Sequence, residues 1–359
     1  MGKKLLLIGN VTIHTYNYYH LVKPYFDEIF LITDEPRKGQ EIDKIEFVSF
    51  SYKKLSNFNS TIKKMKSVCK TFKPDVIHIH QVNSVALFAI LALKSFNIPI
   101  VLTAWGSDIL LSPKRSVILK QIVKYCLKNA DVVTADAEYL GQEVLKYMPL
   151  RKDKLVVANF GMEPHDELFT QKENIIYSNR LHKTLYNIDE IIRAFKKLED
   201  TGRNSYRLVI AATGEETENL KQLAVKLNIS EKVTFVGWLS LYENLKWYGK
   251  SKFYVSIPDS DATSISLLEA MYYGCYPIVS SLPAKREWIS DRVNGAYYKS
   301  DFNFILDKDQ NILDDVAKIN KRLILKKGTV EVAYRKFTSI YDSLINHSHN
   351  SNHSNHAKS

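Results

Sequence analysis

An α/β chain with two parallel-sheet domains is what this sequence predicts, and three observations carry it. Short apolar runs alternate with helix-length segments along both halves, as when parallel strands are joined by helical crossovers. The 359 residues, 45% apolar and 25% charged, suffice for two ordinary globular cores. Third, residues 253–280 read FYVSIPDSDATSISLLEAMYYGCYPIVS, a complete β-loop-α-β step.

In the N-terminal half the strand-like runs fall at 4–9, 28–33, 75–80, 98–103 and 131–134. After the first run, 9–14 reads GNVTIH rather than Gly-x-Gly-x-x-Gly, which argues against a dinucleotide oxidoreductase. The segments DVIHIHQ at 75–81 and LTAWGSDI at 102–109 each end a strand in a loop rich in polar residues. His80 sits at a strand's C-terminal end, where α/β proteins bind ligands. His78 is assigned to the core on the alternation of strand faces.

Charge is concentrated in this half. Residues 51–130 hold 13 Lys and Arg against two acids, Asp75 and Asp108, which accounts for the whole net charge of +11. Lys53, Lys54, Lys63, Lys64, Lys66 and Lys70 form one basic run, and Lys114, Arg115, Lys120 and Lys124 a second. Both interleave apolar residues at helical spacing, a pattern that suits an anionic membrane surface. A solvated Lys-rich face fits the same pattern. No nucleic-acid motif accompanies the charge, so no nucleic-acid partner is predicted.

In the C-terminal half, 174–195 reads NIIYSNRLHKTLYNIDEIIRAF: a strand, a turn holding Arg180, then a helix with Ile188, Ile191, Ile192 and Phe195 on one face. YRLVIAATGEETENL at 206–220 and KVTFVGWLS at 232–240 give two further strands, each followed by a turn. In 253–280, Asp261 lies in the loop before the helix and Glu269 eight positions later within it. AKREWISDRVNGAYY at 284–298 supplies a closing loop and a last strand, with Glu287 assigned a structural role. Ala333, Phe337, Ile340, Tyr341 and Leu344 mark one face of a final helix. The tail HSHNSNHSNHAKS has almost nothing apolar to bury and is predicted to be disordered.

Residues 253–280 resemble the donor signature of the retaining glycosyltransferases of family 4, which have the GT-B fold of two Rossmann-like domains facing across a cleft. The resemblance implies an acceptor domain at 1–160, a nucleotide-sugar domain at 161–325, a helix at 326–346 returning to the first domain, and a tail at 347–359. In that family two acids bracket the donor: the first, with the amides beside it, faces the sugar, and the second takes the ribose hydroxyls. Those roles fall on Asp261 with Thr263, Ser264 and Ile265, and on Glu269. This chain has Asp-Ala-Thr-Ser where the common form is Glu-Gly-Phe-Gly. The resemblance places the donor diphosphate on Arg180, a planar fork suited to paired oxygens. Leu185 stands where a second cation is usual, with Lys183 as its substitute. Gly214 falls in the family's glycine turn, and Trp238 beside the nucleobase. Gly9, His14, His80 and Trp105 fall on the cleft side of the acceptor domain, Trp105 replacing the usual histidine. Asp108 either contacts the acceptor, orients a neighbour, or caps the helix that follows it.

The implied activity is transfer of a sugar from a nucleotide-diphosphate donor, UDP favoured and GDP possible, to a glycan or lipid-linked hydroxyl in bacterial polysaccharide, lipopolysaccharide or capsule assembly. Asp261, Arg180 and Asp108 are the expected catalytic group. A GT-B sugar-nucleotide epimerase and a non-catalytic partner of an assembly complex are the alternatives. No cofactor and no metal are expected, since no three histidines share a metal spacing with acids. Residues 1–10 run straight into a strand, no apolar run spans a bilayer, and Cys69, Cys126 and Cys275 are scattered. A cytoplasmic protein, peripheral on the membrane if the basic runs dock there, is therefore predicted.

Overall fold

Strands that are apolar on both faces are stable only in a sheet covered on both sides, and both halves of this chain build one. The structure, a computed structural model, describes residues 2–37, 39, 42–51, 55–147, 149, 152–165, 171–203 and 205–356, without the side chains of 55, 56, 152 and 347–356. The chain divides into two units, Met1–Phe160 with Val330–Ser359, and Gly161–Thr329.

The first unit holds seven parallel strands: β1 (Lys4–Ile8), β2 (Glu28–Thr33), β3 (Ile45–Phe47), β4 (Val76–His80), β5 (Ile100–Ala104), β6 (Val132–Ala135) and β7 (Leu155–Val157), in the order β3-β2-β1-β4-β5-β6-β7. The two edge strands, β3 and β7, go beyond the five that the sequence predicts. Three residues are too few to show a period. Val330–His356 is one helix, and Ala333, Phe337, Ile340 and Tyr341 bury against Tyr16, Tyr18 and Phe26. Its backbone continues past residue 346, where the sequence predicts disorder, because extending an anchored helix needs no new nucleus. Residues 357–359 lie outside the described residues.

The second unit holds six parallel strands: β8 (Glu173–Ser178), β9 (Arg207–Ala211), β10 (Val233–Gly237), β11 (Ser251–Ser256), β12 (Tyr276–Val279) and β13 (Ala296–Tyr297), in the order β10-β9-β8-β11-β12-β13. The helix Ile188–Glu199 buries Ile188, Ile191, Ile192 and Phe195, the face its spacing predicts. The helix Ile265–Tyr272 ends before Gly274, whose φ of +75° suits a residue without Cβ. In both sheets the order reverses beside the first strand, between β1 and β4 and between β8 and β11. Loops leaving such a pair of strands turn opposite ways and open a crevice at their C-terminal ends.

His78 is buried as expected, but the alternation invoked for it is corrected: residues two apart on a strand share a face, and the His78 and His80 rings lie 4.9 Å apart, both fully buried. A polar chain crosses the first core. The Tyr341 hydroxyl bonds Tyr18 at 2.5 Å and His78 Nδ1 at 2.6 Å, while His78 Nε2 bonds Thr103 Oγ1 at 2.6 Å. Tyr341→Phe strands two buried polar groups and is expected to destabilise this unit by about 1–3 kcal/mol in a denaturant melt, with little change from Thr338→Val on the same helix.

Candidate functional site

Arg180 follows β8, Asp261 follows β11, and the crevice of the second sheet lies between those strands. The Arg180 Nη2 donates to Asp261 Oδ2 at 3.2 Å, and its Nη1 donates to Ser264 Oγ at 2.5 Å. Its guanidinium also lies 4.6 Å from the Tyr186 ring centre. A further cation joins the cluster: Lys285 Nζ lies 2.7 Å from the same Asp261 oxygen. Burial works against ionising Asp261, but the charges of Lys285 and Arg180 outweigh it and hold the carboxyl below its usual range. Lys285 was not legible in the sequence. It lies 24 residues from Asp261, in the turn Pro283–Glu287 after β12, and only the sheet brings the two together.

Ser264 is the N-cap of the helix Ile265–Tyr272, yet its hydroxyl accepts from Arg180 rather than capping that helix. The first amides of the helix, at Ile265 and beyond, therefore lack a side-chain cap, the arrangement that favours an anion there. Thr263 Oγ1 accepts from Trp288 Nε1 at 3.4 Å.

Glu269, one turn into that helix, is 8% exposed, and burial pushes its carboxyl from an ordinary 4.5 up to about 7 against the pull of a Tyr248 hydrogen bond. Behind it lies a polar network: Asn179 donates to Tyr248 at 2.7 Å and to Asn244 at 3.0 Å, and Tyr254 donates to Asn179 at 3.0 Å. Through Tyr248 this network reaches Glu269. Displaced carboxyl pKa values cluster at functional sites, which makes Glu269 a functional candidate.

The other expected donor residues are placed variously. A Cβ on Gly214 would meet the His182 carbonyl oxygen at 2.3 Å, so glycine is required for the post-β8 and post-β9 loops to touch. Two residues earlier, Ala212 holds φ +73°, left-handed backbone that glycine favours, with its N–H donating to Gly237 O at 2.7 Å. Trp238, after β10, is 71% exposed and uncommitted to the core. Lys183 is exposed and lines a groove of about 410 Å³ with Asp189, Glu216 and Asn219. Among the described residues no hydrogen bond or ion pair joins it to Arg180 or Asp261.

In the first unit the expected residues gather at the ends of β1, β4 and β5. A Cβ on Gly9 would lie 2.9 Å from Thr15 Oγ1 and 3.2 Å from the His80 Cβ, so the first loop packs directly on β4. The Trp105 ring stands edge-on to His14 at 5.1 Å and to His80 at 5.5 Å. Neither His80 ring nitrogen nor Trp105 Nε1 has a hydrogen-bond partner among the described residues. Burial, with the charge of His14, lowers the His80 pKa to about 3, so His80 is neutral at physiological pH. Asp108 lies at the junction of two loops. Its carboxylate accepts from the backbone N–H groups of Val82, Trp105, Gly106 and Ile109 at 2.8 to 3.2 Å, tying the post-β4 loop to the post-β5 loop. Those bonds fill its acceptor positions and make it a clamp between the two loops. A polar cavity of about 540 Å³ opens beside these loops, lined by Asn10, Asp34, Glu35, Ser49, Asn57, Thr61 and Lys64 among others. No three His, Cys, Asp or Glu among the described residues are placed to hold a metal ion.

Residues 4–137 match the family described as glycosyl transferase 4-like, and 163–305 that of glycosyl transferases group 1. An alpha-monoglucosyldiacylglycerol synthase of Streptococcus pneumoniae is 21% identical over 306 residues, 75% of this chain and 67% of that protein. An N-acetyl-alpha-D-glucosaminyl L-malate synthase of Bacillus anthracis is 25% identical over 225 residues, 59% of this chain but only 58% of the relative. A glycosyltransferase structure from Rickettsia africae superposes with a TM-score of 0.79 at 15% identity, covering 96% of this chain and 98% of that one. Anabaena HepE, crystallised with UDP and glucose, gives 0.78 at 13% identity over 95% of this chain and all of the other. At these identities the superpositions speak for the fold.

The Glu269 shift has a thermodynamic consequence. Because the folded state holds this proton more tightly than the unfolded state, the group's contribution to stability is complete below pH 4.5 and is lost as pH rises through 7. Glu269→Gln lacks that loss. Denaturant melts are expected to show its advantage over wild type growing by about 2 kcal/mol between about pH 5 and pH 8; parallel pH profiles would rule the shift out.

Proposed function

The chain belongs to the GT-B glycosyltransferases, and on that premise we propose that it moves a sugar from a nucleotide-diphosphate donor, UDP-linked before GDP-linked, to an acceptor hydroxyl with retention at the anomeric carbon. The observation that carries this is the Arg180, Asp261 and Ser264 cluster at the sheet's switch point, with Glu269 one helical turn behind. Arg180 and the uncapped amides of the helix Ile265–Tyr272 are suited to the negative charge that builds on a departing diphosphate. In this reading the acceptor oxygen bonds the anomeric carbon on the face the diphosphate leaves, and the acceptor proton passes to the leaving phosphate oxygen. Asp261 faces the sugar and Glu269 accepts from the ribose. No metal is required.

For the acceptor, the polar cavity of the first unit favours a hydroxyl-rich sugar, in bacterial surface-glycan assembly. The two relatives are named for a glucosyldiacylglycerol and a glucosaminyl malate, one lipid and one small molecule. A lipid-linked acceptor fits the surface of this unit. Val117 and Ile118 are 74% and 73% exposed at the start of the helix Val117–Lys128, beside exposed Lys114, Arg115 and Lys120, with Lys124 half-buried. Lys63, Lys64, Lys66 and Lys70 are exposed on the helix Leu55–Phe72, Lys64 pairing with Glu46; Lys53 and Lys54 lie outside the described residues. Apolar tips ringed by cations suit the cytoplasmic face of an anionic membrane. Among the described residues no helix is long and apolar enough to cross one.

Two experiments test this. UDP or GDP at a hundredfold its Kd is expected to add about 2.7 kcal/mol of stability, seen as a rise in Tm, unchanged by EDTA and lost in Glu269→Ala. Arg180→Ala is expected to cut turnover about a hundredfold or more while leaving the fold intact. A donor consumed without acceptor would mean an epimerase, and no shift with any nucleotide would mean a non-catalytic partner. Separately, Val117→Asp with Ile118→Asp is expected to abolish co-sedimentation with phosphatidylglycerol vesicles; equal pelleting of variant and wild type would remove the membrane from the proposal.

A further inference from the structure

Three charges share one point: Asp261 Oδ2 takes Arg180 Nη2 at 3.2 Å and Lys285 Nζ at 2.7 Å. The two cations are not equivalent. The Arg180 and Asp261 side chains reach solvent, whereas Lys285 is 0% exposed and is held in its turn by its own N–H, which donates to Leu282 O at 2.9 Å. Lys285 is thus sealed from solvent behind the partly exposed carboxylate. We propose that Lys285 is a positioning residue of the donor site: from behind, it holds Asp261 fixed and leaves the Arg180 guanidinium available to the donor diphosphate.

The charge balance gives the reason. Arg180 and Asp261 alone form a neutral pair, and such a pair gives a diphosphate little attraction. The third charge brings the cluster to a net single positive charge, and it does so without occupying the space where a ligand binds. A buried ammonium is tolerable only when paired, so Lys285 and Asp261 are fixed by each other. Asp261 Oδ1 takes the Ala262 N–H at 3.1 Å, which leaves the carboxylate little freedom to swing toward Arg180. Arg180 keeps unused N–H donors after its bonds to Asp261 and Ser264. Lys183, the cation expected from the sequence, stays exposed and apart, so Lys285 is the second cation of this cluster.

This inference rests on the donor-site reading above, and titration calorimetry with UDP and GDP separates the two. Lys285→Met is expected to weaken the nucleotide that wild type binds about tenfold, the effect of one charge at this range, while Lys285→Arg stays near wild type. Asp261→Asn combined with Lys285→Met removes both inner charges and restores the single positive charge of Arg180. The double variant is expected to regain nucleotide affinity but not sugar transfer, a separation that a merely space-filling lysine does not produce. Its one remaining charge, Arg180, reaches solvent, so it carries the comparison if Lys285→Met folds poorly. Unchanged affinity in a well-folded Lys285→Met overturns the proposal, as does a double variant that binds no better than the single. Wild type that binds neither nucleotide overturns the donor-site reading itself, and this inference with it.

Discussion

A parallel sheet buried on both faces leaves its chemistry only one place to go. Side chains in the middle of β1, β4, β8 and β11 are committed to the core, so charged groups must sit beyond the strand ends, on loops whose directions the strand order decides. The reversals at β1/β4 and β8/β11 part those loops. Arg180 and Asp261 come from the two strands at one reversal, and Gly9 and His80 from the two at the other. Every later feature of the candidate site inherits this constraint.

Within the second unit, position and charge are solved together. Asp261, in the loop, is anchored by two cations and a backbone amide, while Glu269, in the helix that follows, is buried with a Tyr248 hydroxyl as partner. Two carboxyls eight residues apart thus hold opposite protonation tendencies: the first is held charged, the second is poised near neutrality. The cause is environment: Glu269 is buried without a counter-ion, while Asp261, partly buried, has two.

What the sequence made legible was what is local. The strand, loop and helix of 253–280, the Arg180 turn and the apolar face of Ile188–Glu199 depend on neighbours in the chain, and periodicity reports them. What escaped was what depends on distant segments. Lys285 reads as one more lysine in a basic composition until β12 brings its turn beside Asp261. Asp108 looked equally suited to an acceptor or a helix cap, and only the return of the Val82 loop showed what fills its oxygens. The edge strands β3 and β7 were too short for any period to appear.

Ala212 carries a left-handed φ that its own side chain disfavours by roughly 1–2 kcal/mol. The bend at this rim is consequently not written in the residue that bends. It is imposed by the Gly237 carbonyl, which takes the Ala212 N–H, and by the close approach of Gly214 to His182. Such a turn is not portable: grafted alone onto another scaffold it would relax, whereas the loops after β8, β9 and β10 moved together would carry their shape with them. This rim is in this sense a single module of three loops, and drift at any one of them is felt by the other two.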